Sequence, residues 1–118
     1  HMLTSKEIAH LAVKALDDKL ARDIQILKTD KVTVLADYFI LCTAGNSTHG
    51  KTLADEVDKV LSQAGEPPLR REGYRSGGWT LLDFGCVVVH IFSEEMRSFY
   101  SLDRLWSDAE KIDYKDFL

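Results

Sequence analysis

The sequence predicts a single α/β domain of the α+β kind, a mixed sheet of about five strands whose elements run in the order α-β-β-α-β-β-β-α. Three observations lead to it. Two segments, near 3–20 and 46–64, repeat apolar residues at helical spacing. Short apolar runs with strand character lie between and after them, so helices must cover at least one face of a sheet. The length of 118 residues supplies about one hydrophobic core and no second. The domain is expected over residues 3–118, with His1-Met2 resembling the remnant of a cleaved expression tag.

The first helix is announced by Thr4 and Glu7 at capping-box spacing, with Leu3 and Ile8 placed as a hydrophobic staple. Ile8, Leu11, Ala12, Ala15, Leu16 and Leu20 then form one apolar stripe. "DIQIL" and "ADYFILCTAG" read as strands, the second with the near-continuous apolar character of a central strand covered on both faces. Asn46, Ser47 and Thr48 offer N-caps for a second helix with Leu53, Val57, Val60, Leu61 and Ala64 on its buried stripe. Gly65 ends that helix, and Pro67 and Pro68 prevent continuation. "LRREGY" is polar enough to be an edge strand. Ser93, Glu94 and Glu95 cap a third helix carrying Met96, Phe99 and Tyr100, and Ser101 starts a further turn holding Leu105 and Trp106.

Between the edge strand and the third helix lies "WTLLDFGCVVVHIF", Trp79 to Phe92, a hairpin with no polar face. With Phe84-Gly85 as a two-residue turn, Asp83 pairs with Cys86, Leu81 with Val88 and Trp79 with His90. Cross-strand partners share a face, so Trp79, Leu81, Asp83, Cys86, Val88, His90 and Phe92 line one side. Thr80, Leu82, Val87, Val89 and Ile91 line the other, the set expected under the helices. A tryptophan, an acid and an imidazole among aliphatics suit a surface that meets a partner. A third helix covering that side within the protomer is the alternative.

Composition narrows the function classes. With 45% hydrophobic and 29% charged residues the chain has the make-up of a soluble globular protein. No apolar run reaches the roughly 18 to 20 residues of a membrane span, and no secretory leader is visible, so a soluble intracellular protein is expected. A net charge of −4 disfavours general nucleic-acid binding and suits a basic protein partner. Cys42 and Cys86 are expected as free thiols in apolar runs.

The constellations that suggest chemistry are weak. Cys86 and His90, four residues apart on one strand, stand about 13 Å from each other, too far for a nucleophile and its base. "AGNST" could hold an anion at a helix N-terminus, yet the glycine is equally needed to turn the chain. Asp55 and Asp58 follow that turn as paired acids do in nucleotidyltransferases. Those acids belong two apart on a strand, whereas here they are three apart in a helical pattern. His10, His49 and His90 lack ligand spacing with the acids, so no metal and no cofactor are expected. Arg70, Arg71 and Arg75 beside Tyr74 could touch RNA phosphate, or form ordinary edge-strand charge diluted by Glu66 and Glu72.

"ADYFILCTAGNS", "WTLLDFGCVVVHIF" and "EEMRSFYSLDRLW", in that order, resemble the Iojap family of ribosomal silencing factors. The resemblance implies a nucleotidyltransferase-like fold without the catalytic acids, and no enzymatic activity. It also implies binding to the large ribosomal subunit through large-subunit ribosomal protein fourteen, which blocks joining of the small subunit and represses translation. Homodimers, and a bacterial cytoplasmic or organellar setting, are implied as well. Trp79, Asp83, His90, Arg97, Tyr100, Leu102 and Trp106 match characteristic family positions. The expected partner-binding residues are Trp79, Leu81, Asp83, Phe84, His90, Phe92 and Tyr100, with Trp79 as anchor, Leu81 and Phe92 extending the apolar patch, and Asp83 pairing with a basic residue. Cys86 stands where the family usually has Asp, and His49-Gly50 where it commonly has Arg-Gln or Arg-His. A nucleotidyltransferase-like enzyme or nucleotide-binding protein, and a structural dimerisation module, are the alternative readings.

Overall fold

The computed structural model describes residues 3–29, 36–73, 78–96 and 110–118. Helix α1, Ser5–Asp18, opens on the expected capping box: Thr4 Oγ1 accepts from the Glu7 N–H at 3.1 Å and Glu7 Oε1 accepts from the Thr4 N–H at 3.1 Å. It ends in a Schellman motif, in which the Ala21 N–H donates to the Leu16 carbonyl and the Leu20 N–H to that of Asp17. Leu20 occupies the left-handed position of that motif, φ +64, and is 78% exposed, so it leaves the apolar stripe on which its spacing placed it. The helix has already turned by the time the stripe would reach it.

Strands β1, Arg22–Lys28, and β2, Tyr38–Ala44, are antiparallel neighbours. Helix α2, Ser47–Gln63, is capped by Asn46 Oδ1 on the His49 N–H at 2.8 Å. Its C-terminus repeats the Schellman motif with Gly65 at φ +87, the Glu66 N–H reaching the Leu61 carbonyl. Then come β3, Arg70–Glu72; β4, Trp79–Asp83; β5, Val87–Ser93; β6, Glu110–Ile112; and a closing 3₁₀ turn, Tyr114–Phe117. The mixed sheet is present, with six strands among the described residues against about five expected, in the order β3-β4-β5-β2-β1-β6. Strand β6 is three residues long and largely charged, too short to show a period. Among the described residues only β2 and β5 pair in parallel, through seven residues each, and they occupy the centre.

Both helices pack on one face of the sheet. There Ile8, Ala12, Leu16, Leu53, Val57 and Leu61 meet Ile26, Ile40, Cys42, Leu82, Val89 and Ile91. Each fully buried aliphatic in that layer stabilises the fold by about 1.5–3 kcal/mol. Phe117 closes its end, held by its carbonyl against His10 Nδ1 at 2.6 Å and by its ring edge-on to Tyr38. Arg71 ties the sheet margin to α2, its guanidinium forking between Asp55 at 2.7 Å and Asp58 at 2.9 Å. No described helix is long and apolar enough to cross a membrane.

The third helix begins as its cap residues suggest: Ser93 Oγ accepts from the Met96 N–H at 3.2 Å and residues 94–96 are helical. The remainder of that expectation, with Phe99, Tyr100, Leu105 and Trp106, lies outside the described residues, as do Tyr74 and Arg75.

Gly73, φ +76, passes so close to β4 that a β-carbon there would fall 1.9 Å from the Trp79 carbonyl oxygen. Gly73→Ala is expected to lower the unfolding free energy by about 3 kcal/mol or more, since backbone must move as well as adopt a strained dihedral. Urea denaturation of the two proteins checks this, and an unchanged midpoint would contradict the close approach.

Candidate partner-docking face

The hairpin's pairing differs from the expected one. Asp83 lies opposite Val88, Leu81 opposite His90 and Trp79 opposite Phe92. The turn is Gly85-Cys86, not Phe84-Gly85: the Phe84 N–H donates to the Val87 carbonyl at 2.9 Å, and the Cys86 N–H donates back to the Phe84 carbonyl around Gly85 at φ +86. Each partner on β5 has moved by two residues. Because the strand period is two, the faces survive the slip for every paired residue. Trp79, Leu81, Asp83, Val88, His90 and Phe92 do share a side, opposite the one that packs on the helices.

Two residues change role with the slip. Phe84 now faces Val87 under the helices, is 4% exposed and belongs to the main core, which corrects its expected place in the contact set. Cys86 leaves the strand for the turn, where burial chiefly pushes its thiol pKa up and so disfavours the thiolate. Cys42 and Cys86 are not joined in a disulfide. Tyr100, the remaining expected contact, and Arg97, Leu102 and Trp106 lie outside the described residues.

On the side away from the helices, Leu27, Leu41 and Phe92 form a second, smaller cluster joined by Phe39, Trp79 and Met96. The indole of Trp79 is half-buried and stacks on Phe92, centroids 5.4 Å apart at 28°. Phe92 itself is 1% exposed, so it underlies the indole and does not extend the surface patch as expected. His90 lies between Phe39 and Phe92, with ring centroids 5.2 Å and 6.0 Å away. The Trp79 Nε1–H donates to His90 Nδ1 at 3.2 Å. An indole nitrogen is a donor only, so Nδ1 must be the acceptor and a neutral His90 carries its proton on Nε2. That Nε2 meets no hydrogen-bond partner among the described residues. Burial lowers the imidazole pKa to about 4, against a weaker upward pull from Asp83.

Asp83 is already engaged. Its Oδ1 accepts from the Gly85 N–H at 2.8 Å, and its Oδ2 is 3.3 Å from the guanidinium of Arg70, which also pairs with Glu72. It therefore closes the hairpin turn and joins an exposed cross-strand charge cluster. Leu81 is a ridge between two clefts. One, of about 340 Å³, runs past Phe39, Leu69, Asp83, Val88 and His90. The other, of about 280 Å³, is lined by Glu72, Gly73, Trp79 and Met96. Phe39, Met96 and the 67% exposed Leu69 were not expected here. Parity along "ADYFILCTAG" marks Phe39 and Leu41 as facing alike, but only the parallel register brings them beside Val88 and His90.

The features that raised enzymatic readings are used structurally. Asp55 and Asp58 sit on α2 one turn apart and both bind Arg71. At the start of α2 the Gly45 N–H donates to His49 Nδ1 at 2.9 Å, and His49 Nε2 lies 2.7 Å from the Lys19 carbonyl. The departure at His49 thus ties the β2–α2 turn to the end of α1. Among the described residues, no three of His, Cys, Asp and Glu gather as a metal site.

The unfolded imidazole protonates near pH 6.5 and the folded His90 only near 4, so the unfolded state binds more protons between these values. Stability is full above about pH 6.5 and falls as the pH drops toward about 4, a loss of roughly 3 kcal/mol from this residue alone. Urea titrations from about pH 7 to about pH 4.5 should show that slope reduced in His90→Gln; an equal slope would remove His90 as its source.

Comparison with known proteins agrees with this architecture. Residues 2–118 match the family model described as "RsfS: Ribosomal silencing factor during starvation". The ribosomal silencing factor RsfS of Halalkalibacterium halodurans is 35% identical over 111 residues, covering 94% of this chain and 95% of that one. The chloroplastic protein Iojap of Zea mays is 31% identical, over 85% of this chain and 43% of its own length. A crystal structure of a Chromobacterium violaceum protein superposes with a TM-score of 0.87 at 37% identity, covering 89% of this chain and 88% of that one. A capped two-helix layer on one side of a mixed sheet, a tryptophan-centred face on the other, and a match along nearly the whole length converge: the chain belongs to the RsfS/Iojap family of ribosomal silencing factors.

Proposed function

We propose that the protein represses translation by binding the large ribosomal subunit through large-subunit ribosomal protein fourteen and obstructing joining of the small subunit. The observation that carries this reading is the position of Trp79. It is a half-buried indole on the side away from both helices, beside the Leu81 ridge and two clefts. Large, partly desolvated aromatics of this kind dominate the energetics of protein interfaces. A specific interface of about 1,200–2,000 Å² is within reach of the protein, whose extents are 33 × 33 × 25 Å. Such a body on an intersubunit surface excludes the other subunit by volume, and no bond need be made or broken. The protein is accordingly read as a non-enzymatic factor without a cofactor, acting where ribosomes are, in the cytoplasm of a bacterium.

Within that reading Trp79 is the anchor, Leu81 enters between partner side chains, and His90 and Phe92 form the floor that keeps the indole in place. Asp83 and Glu72 leave the rim acidic around Arg70, and the net charge of −4 favours approach to a basic ribosomal protein. Pairing of two copies through the same face would compete with ribosome binding, and light scattering over a range of concentrations measures it.

Trp79→Ala is expected to weaken large-subunit binding by more than about 1 kcal/mol while retaining a cooperative melt. Sedimentation with purified large subunits reads the first and thermal unfolding the second; undiminished co-migration of the variant would reject the anchor. In stopped-flow light scattering of subunit joining, the wild-type protein is expected to suppress the association signal. No suppression at saturating protein would reject the proposed function.

A further inference from the structure

We infer that His90 is the positioning residue of the docking face: through Nδ1 it sets the orientation of the Trp79 indole, and through Nε2–H it offers one donor to an uncharged oxygen acceptor on an apolar segment of the docked partner. This rests on the reading of the face as a ribosomal docking surface.

Four observations support it. The Trp79 Nε1–H to Nδ1 bond fixes the tautomer, so the donor necessarily sits on the opposite ring edge. His90 is 4% exposed, and that opposite nitrogen has no partner among the described residues. Buried polar groups are nearly always satisfied, so an exception needs an explanation, and a docked partner that completes the bond supplies one. The ring also lines the larger cleft, whose other walls include Phe39, Leu69, Leu81 and Val88 together with the paired charges Arg70 and Asp83, so the part of an occupant that meets the aliphatic walls beside His90 is apolar. Finally, His90 lies in a row across the sheet, Glu72–Leu81–His90–Leu41–Gln25, with the ridge residue Leu81 as its immediate neighbour. A side chain seated against Leu81 therefore brings its main-chain or side-chain oxygen toward Nε2. An N–H at that point donates to a carbonyl, hydroxyl or amide oxygen and repels an ammonium or guanidinium, so His90 contributes selectivity as well as order. The Gln25 Oε1, also buried and unpartnered among the described residues, stands two strands away in the same row.

Two substitutions separate the halves of this role. In His90→Asn the amide oxygen can stand where Nδ1 stands, keeping the bond to Trp79 and losing the far donor. In His90→Gln the amide nitrogen can stand where Nε2 stands, keeping the donor and losing the bond to the indole. Nitrogen-15 spectra of the full chain, with the two indole signals assigned through Trp79→Phe, should show the Trp79 Nε1–H resonance nearly unmoved in His90→Asn and shifted upfield in His90→Gln. Both variants are expected to bind large subunits about fivefold to tenfold more weakly than wild type.

Histidine nitrogen-15 shifts of the wild type give a reading that requires no variant to fold, and the proton is expected on Nε2. A proton on Nδ1, an indole signal indifferent to both substitutions, or unaltered subunit affinity in both would overturn the inference. The spectra are recorded without ribosomes. If wild-type protein fails to bind large subunits, the docking reading fails, while the indole and imidazole signals still decide whether His90 positions Trp79.

Discussion

Parallel pairing of β2 with β5 is the constraint from which the rest of the arrangement follows. Parallel neighbours cannot be joined by a tight turn, so the chain between them must make a long excursion, here carrying α2, β3 and β4. The excursion lays α2 beside α1 on one face and returns β4 to the outer side of β5. Both central strands are then enclosed laterally, and their side chains above and below are mostly apolar, with Thr43 and His90 as buried polar members. One layer is filled by the two helices; the other is the aromatic cluster around Phe92. The sheet is thus a shared wall between an aliphatic core and a face whose rings are organised by stacking.

That second face combines apolar area with a single polar contact. Burial of His90 disfavours its charged form, a neutral ring has one donor and one acceptor, and the indole claims the acceptor. Charge is kept to the rim, where Arg70 is shared between Asp83 and Glu72 in exposed pairs of the kind that contribute at most about 1 kcal/mol. The acid that reads most readily as a reaching contact, Asp83, is held by its own turn. Its carboxylate works first on hairpin geometry, and only the cluster as a whole presents negative potential outward.

Much of this was legible in the sequence because its causes are local. Thr4 with Glu7, and Asn46 before α2, are capping chemistry contained within four residues. The division of the hairpin into two faces was legible too, since parity tolerates an error of two residues in register. What escaped depends on longer range. Gly85 marks the turn in the sequence, but its place at the first turn position goes with the Asp83 side chain accepting its N–H, and this puts Phe84 in the core. Leu20 obeyed helical spacing but fell after the Schellman turn. Phe39 and Leu41 reach the Trp79 face only through the parallel register, which no local pattern encodes. The unmatched His90 nitrogen is a property of packing alone.

The two margins of the sheet carry a consequence of their own. Strands β3 and β6 are each three residues long, Arg-Arg-Glu on one side and Glu-Lys-Ile on the other. A foreign strand trying to add itself there would find room for only a bond or two and would have to align against ionised side chains. Short, charged borders therefore disfavour growth of the sheet by self-templating on either side, although its two innermost strands are among the most apolar segments it possesses.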